Sequence, residues 1–365
     1  MRRVFVRRRR RVCEHVFVRW SNLTLGEDEQ RRLPGYREEA VVRRFKAPDA
    51  LETRFNEVRA KSALNRVPQA SRMPFRWTVN PYRGCTHACR YCFARPTHRY
   101  LDFDAGRDFE REIVVKVNAP EVLRAELARP SWRREHVALG TNTDPYQWVE
   151  GRYRLMEGIW EALRDAANPC SVLTKSPLLL RDLALMLQIA ERTSFGACLS
   201  IPTLDEKVWR ETEPHTPNPR ARLEAVAELN RAGIPTGILI APLMPGVNDA
   251  PQQLEPLLEL AAAAGATSIG GVALHLRGEV REIFMDWLRC QRPDLVGHYE
   301  RLYRCGAYAP PAERDRLAQL VRWRGSPGGF ASVEPRFGAG ARDRPSTPAR
   351  SRPPMPAPSR QTTLF

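Results

Sequence analysis

Pro81–Pro96 reads PYRGCTHACRYCFARP, and its three cysteines, Cys85, Cys89 and Cys92, stand at C-x3-C-x2-C spacing directly after an apolar, strand-like stretch. Such spacing lets three thiolates converge on one small centre from a single short loop. No fourth cysteine follows at ligand spacing. A structural zinc site closes its shell with four protein ligands, and iron–sulfur clusters are usually held by four thiolates. Three ligands on one loop therefore point to a cluster with one iron left open for a substrate or cofactor. Two other readings stand beside it: a zinc site completed by His87 or His98, as in a non-enzymatic DNA-binding protein stabilised by zinc, or three unrelated buried cysteines.

Outward from this loop the chain alternates short apolar runs with amphipathic ones, the pattern of successive βα units. Strands are expected at 75–79, 136–142, 170–175, 195–201, 234–242 and 268–276, and helices at 154–167, 180–192, 220–232 and 250–264. Strands separated by helices should run parallel. The expected fold class is therefore α/β, a partial (β/α)6 TIM-type barrel with its chemistry at the C-terminal strand ends. The cluster loop leaves the C-terminal end of the first strand, so both arguments select the same face. The barrel core is expected over 75–280, a helical segment over 281–324, a polar N-terminal extension of little periodicity over 18–74, and a disordered basic tail over 325–365.

Residues at those strand ends are the candidate cofactor contacts. Thr143 lies in the run GTNTDPYQ after the second strand, and Lys175 closes the third, where an ammonium suits a carboxylate. Ser200 closes the fourth, and Glu213 and Arg222 follow it; Glu213 is expected to accept from ribose hydroxyls or an ammonium. Lys116 and Asp144 are expected to face the substrate. Cys13, Cys170, Cys198, Cys290 and Cys305 are isolated and read as small hydrophobes.

The cysteine spacing, with Tyr91 before the last cysteine and Phe93 after it, resembles the signature of radical S-adenosylmethionine (SAM) enzymes. The resemblance implies a [4Fe-4S] cluster on Cys85, Cys89 and Cys92, with SAM on the open iron and one-electron cleavage to a 5′-deoxyadenosyl radical. Such chemistry implies an electron donor such as flavodoxin or ferredoxin. TDPYQ, LTKS, LSIP, EPHTPNPRARL and IAPLMPG further resemble segments of spore photoproduct lyase and its relatives, over roughly residues 75–250. There the likeness implies SAM contacts at Thr143, Lys175 and Ser200. The sequence departs from that lyase at two places. Thr141 stands where the lyase has its hydrogen-donating cysteine, and Phe93 where it has a relay tyrosine. The substrate stays open: an unidentified molecule, with nucleic acid favoured, or a DNA lesion of the photoproduct type.

Composition narrows the setting. Of 365 residues 42% are hydrophobic, enough for a substantial core. Eight cysteines without a disulfide pattern or secretory leader point to a reducing cytoplasm, and no apolar run is long enough to span a bilayer. The net charge of +16 gathers at the ends: residues 1–17 carry seven arginines against Glu14, and residues 336–365 carry six against Asp343. Basic arms of this kind are a nucleic-acid footprint, although residues 1–17 also read as a mis-assigned start preceding Val18. Gln361, Leu364 and Phe365 resemble the short peptide through which bacterial DNA enzymes dock on the sliding clamp.

Overall fold

The cysteine loop is held in place by two sheets that meet at its stem. The structure, a computed structural model, describes residues 23–24, 41–44, 53–71 and 73–321. The arginine-rich segments 1–17 and 336–365, the alternative start and the peptide at Gln361, Leu364 and Phe365 lie outside the described residues. The strands are β1 (Leu23–Thr24), β2 (Val41–Arg44), β3 (Arg54–Ala60), β4 (Leu64–Arg66), β5 (Trp77–Val79) and β6 (Tyr82–Arg83). They continue with β7 (Glu112–Lys116), β8 (Val137–Leu139), β9 (Cys170–Thr174), β10 (Phe195–Ser200), β11 (Thr236–Leu243) and β12 (Ile269–Ala273). The helices are α1 (Arg107–Arg111), α2 (Ala119–Leu127), α3 (Glu150–Tyr153), α4 (Leu155–Asp165), α5 (Leu183–Arg192) and α6 (Glu206–Thr212). After these come α7 (Pro219–Arg231), α8 (Pro251–Ala263), α9 (Val280–Gln291), α10 (Val296–Leu302) and α11 (Pro311–Leu320).

The larger sheet has the order β4-β5-β8-β9-β10-β11-β12. From β5 to β12 every pairing is parallel, and β4 adds an antiparallel edge. Six parallel strands in this arrangement form the partial barrel expected, open between β12 and β4. Alternation along each strand decides which side chains meet the helices. Val137, Leu139, Val172, Leu199, Ile238 and Ile240 join Ile159, Leu163, Ile189, Val226 and Leu257 in one core. The intervening positions, Ala138, Ser171, Cys198 and Gly237, therefore line the inner face, and their small size leaves room above them at the strand ends.

A second sheet runs β1-β3-β7-β6, with β2 also paired to β3. It corrects the expectation of a polar extension over 18–74. β3 carries charged residues at Arg54, Glu57 and Arg59, which hide its apolar alternation. The strand forms because Phe55 lies opposite Ile113 on β7, which is buried along its whole length. Phe55, Tyr82, Ile113, Val115, Val149 and Leu155 make a core of their own. β6 ends at Arg83, two residues before Cys85, so this small sheet anchors the stem of the cysteine loop.

Candidate active site

The loop folds back on itself at two left-handed positions, Gly84 (φ +79°) and Ala88 (φ +56°). At Gly84 a Cβ would come within 2.9 Å of His98 and of the Phe109 carbonyl, so only glycine fits. Arg95 then fixes the loop from inside. Fully buried, it donates to the carbonyls of Cys89 (3.0 Å), Ala88 (3.1 Å), Ala105 (3.1 Å) and Gly106 (2.8 Å), and pairs with Glu110. Gln147, also fully buried, accepts from the Thr86 N–H at 2.9 Å and donates to the Gly84 carbonyl at 3.1 Å. Sequence reasoning gave neither residue a role. Arg95 carries no signal beyond its position three residues after Cys92, and Gln147 was visible only as the end of TDPYQ.

Cys85 and Cys89 are buried and Cys92 is partly so. Burial pushes all three thiols above the ordinary cysteine range; at Cys89 the neighbouring charge of Glu213 and of the two other thiols adds to it. Thiols so placed stay protonated and inert unless a metal displaces the proton. Among the described residues no trio of His, Cys, Asp or Glu stands at single-ion distances; a four-iron cube spreads its thiolates wider than one ion does. The two histidines available to a zinc site are turned elsewhere. His98 Nε2 lies 2.9 Å from the Glu112 carbonyl, and His87 Nδ1 faces Asp144 at 3.5 Å. Three buried sulfurs on a pre-folded loop, with no fourth side-chain ligand among them, fit a [4Fe-4S] cluster with one open corner.

Beside the loop, four of the sequence-selected residues form one network. Lys175 Nζ donates to Ser200 Oγ and to Glu213 Oε1, each at 2.7 Å. Arg222, fully buried, reaches Glu213 Oε2 at 2.7 Å, the Ser200 carbonyl at 2.9 Å and the Pro217 carbonyl at 2.9 Å. Tyr91, between two cluster cysteines, donates its hydroxyl to Glu213 and places its ring under the Lys175 ammonium, 5.7 Å from the centroid. Burial alone would raise the Glu213 carboxyl, but the charges of Arg222 and Lys175 outweigh it and hold it down at about 2. Glu213 is thus a permanent anion between two cations, with both oxygens already engaged by protein. The cysteine loop is tied to the same segment through Arg90 N–H and the Thr212 carbonyl at 2.9 Å.

The other sequence-selected residues make no bond to the side chains of this network, although Asp144 reaches the backbone N–H of Lys175. Thr143 donates its hydroxyl to the Tyr82 carbonyl at 2.9 Å, on the stem side of the loop. The Asp144 carboxylate accepts from Thr174 Oγ1 (2.6 Å), the Lys175 N–H (2.7 Å) and the Tyr146 N–H (2.9 Å), and so fixes the strand end that carries Lys175. Lys116 is buried on β7 in the second sheet, where burial and the nearby Arg83 lower its ammonium to about 8. Cys198 is buried on β10, two residues below Ser200 on the inner face, with its thiol pushed up to about 12 by burial.

A profile of the Radical SAM superfamily matches residues 79–261, from the end of β5 through most of α8. The chain belongs to the radical SAM superfamily. An uncharacterized protein of Mycobacterium tuberculosis (strain H37Rv) is 50% identical over 289 residues, 79% of this chain and 85% of that protein. An uncharacterized Methanocaldococcus jannaschii protein is 26% identical over 195 residues, 53% of this chain and 69% of its own length. Among solved structures, spore photoproduct lyase complexed with dinucleoside spore photoproduct superposes with a TM-score of 0.54 at 14% identity, covering 73% of this chain and 77% of the lyase. A mutant of that lyase with bound AdoMet and dinucleoside spore photoproduct gives 0.52 at 15% identity, covering 71% and 74%. At such identities the likeness speaks for the fold. It makes this radical SAM chain lyase-like in architecture. Among the described residues no helix is long and apolar enough to cross a membrane.

Proposed function

We propose that this radical SAM protein holds a [4Fe-4S] cluster on Cys85, Cys89 and Cys92, binds SAM beside it, and acts on a nucleic-acid substrate by hydrogen-atom abstraction. The observation that carries this reading is the network joining Tyr91 of the cysteine loop, through Glu213, to Lys175, Ser200 and Arg222 at the strand ends. A reduced cluster held by Cys85, Cys89 and Cys92 would supply the one electron needed for reductive cleavage of SAM and hence hydrogen-atom abstraction from the substrate. The chain's own residues do the rest. Lys175, steadied by Glu213, would offer its remaining N–H to the carboxylate of the methionine part, while Ser200, which accepts from Lys175 and donates to the Ala241 carbonyl at 3.3 Å, orients that ammonium. Arg222 keeps Glu213 ionised, so that the Lys175 ammonium is held against an anion. Burial of the thiols keeps water from the metal.

The high positive charge supports a polyanionic substrate. The similar architecture of a lyase bound to a dinucleoside photoproduct supports the same class. A second reading is a DNA-lesion lyase of the carbon–carbon type, brought to replication forks by a clamp peptide at Gln361, Leu364 and Phe365. Thr141 and Phe93 in place of the donor cysteine and tyrosine weigh against thymine–thymine cleavage by the lyase's own hydrogen path, because an alcohol O–H bond is too strong to give up a hydrogen atom readily. The test is anaerobic reconstitution with iron and sulfide, then reductant and SAM, with 5′-deoxyadenosine measured in the presence and absence of single-stranded and ultraviolet-damaged DNA. Release by the wild type and none by Cys89→Ala is the expected result. A Cys89→Ala protein that still releases 5′-deoxyadenosine removes the proposal.

A further inference from the structure

Most large aromatic side chains in this fold are buried, but two of the exposed ones sit together beside the cysteine loop. Phe93 directly follows Cys92 and is 49% exposed; Tyr308 is 56% exposed. His275 lies between them, stacked on Tyr308 at 5.6 Å with a 25° interplanar angle, and 5.8 Å from Phe93. His275 follows the C-terminal end of β12, the last strand of the open barrel, so the three rings stand on the mouth side of the sheet.

The support beneath them is rigid. His275 and Tyr308 face each other across an antiparallel bridge. Leu276 N–H donates to the Ala307 carbonyl at 2.7 Å, and Tyr303 donates its hydroxyl to the Leu274 carbonyl at 2.8 Å. Below the rings, Ile269 and Ala273 pack outward against the helical core, so alternation turns Val272 to the inner face, where it is 41% exposed. Arg277 is exposed two residues beyond His275, and its charge, added to burial, keeps that imidazole neutral.

We infer that Phe93, His275 and Tyr308 form a stacking platform that receives one nucleobase of a single-stranded nucleic acid, with Arg277 set for the adjoining phosphate. Pre-positioned exposed rings cost little ordering when a flat ligand lands on them, and every base offers a π-face. The assignment rests on the nucleic-acid reading of the active site and names the residues that would hold the base there. It also gives Phe93 a role that needs no phenolic hydroxyl.

The test uses the full chain, reconstituted anaerobically, and a fluorescein-labelled oligothymidylate carrying one central 2-aminopurine. Anisotropy reports binding, and quenching of the 2-aminopurine reports stacking. Wild type and Tyr308→Phe should bind and quench. Tyr308→Ala and Phe93→Ala should bind roughly 5- to 150-fold more weakly, the range for losing a base–aromatic stack, and lose the quenching. Arg277→Gln should weaken binding with a shallower salt dependence while quenching at saturation persists. Because Tyr308 is mostly exposed, iron content and thermal midpoint should not change in Tyr308→Ala. Binding without quenching, or equal quenching by Tyr308→Ala, overturns the platform alone. Absence of binding by wild type overturns the nucleic-acid reading with it, and SAM cleavage is judged separately by 5′-deoxyadenosine release.

Discussion

Glu213→Gln keeps the shape of the side chain but removes the anion that separates Lys175 from Arg222. Its magnitude follows from the geometry in two ways. The carboxyl is held at about 2 against an ordinary 4.5, and at 1.36 kcal/mol per pH unit that gap is about 3 kcal/mol in favour of the charged form. Independently, removing one partner of a buried ion pair typically costs about 3–5 kcal/mol, because the other charge is left unpaired in a poor solvent. Since the folded value is depressed, the contribution is fully present above 4.5 and is lost as pH falls towards 2. At pH 7.5 the variant should therefore show the whole deficit, about 3 kcal/mol in anaerobic urea unfolding. SAM binding by equilibrium dialysis should weaken too, since an unsteadied Lys175 is a poorer carboxylate ligand. Adding Arg222→Met should restore part of the lost stability, because the stranded guanidinium goes with it. A Glu213→Gln protein within about 1 kcal/mol of wild type would refute the reasoning that this anion organises the site.

Lys116→Met should stabilise the protein at pH 7. The gap between 10.5 and about 8 corresponds to about 3 kcal/mol. A lowered lysine value costs stability as pH falls from 10.5 to 8, so the advantage of the variant should shrink to about 1.4 kcal/mol by pH 9.5; a constant difference across that range defeats the assignment. Gly140→Ala should fail to give a folded, iron-loaded protein. Its Cβ would fall 1.8 Å from the Leu173 carbonyl on the neighbouring strand, at a φ of +79°; normal expression and iron content would contradict this. Deleting residues 361–365 should abolish retention on an immobilised bacterial sliding clamp while leaving iron content unchanged. Retention of the shortened chain would remove the clamp peptide.

The cysteine loop and the six βα units were legible in the chain because both are local signals. Cys85, Cys89 and Cys92 declare themselves within eight residues. Each strand and helix of the larger sheet has its own period and sits beside its sequence neighbour, as the order β8-β9-β10-β11-β12 reflects. The strand ends then pointed to Thr143, Lys175 and Ser200, with Glu213 and Arg222 beyond the last of them, and all but Thr143 meet in one network. Their partners were not legible. That Glu213 is saturated by protein donors, or that Asp144 fixes a strand end, depends on partners as far as 122 residues away for Glu213 and 31 for Asp144.

What lay beyond sequence reading was everything made by long-range pairing. β3, with charges at Arg54, Glu57 and Arg59, has no local reason to be a strand; it exists because β7 lies alongside it, more than fifty residues later. Arg95 looks like any surface arginine until the fold closes four carbonyls over it. Phe93, His275 and Tyr308 become neighbours only when the last strand returns to the mouth of the barrel. Local periodicity determined the βα units, and cysteine spacing the loop between the first two barrel strands, of this radical SAM protein. Tertiary structure decided which buried charges meet and which rings remain exposed, because those depend on distances that no short stretch of chain encodes.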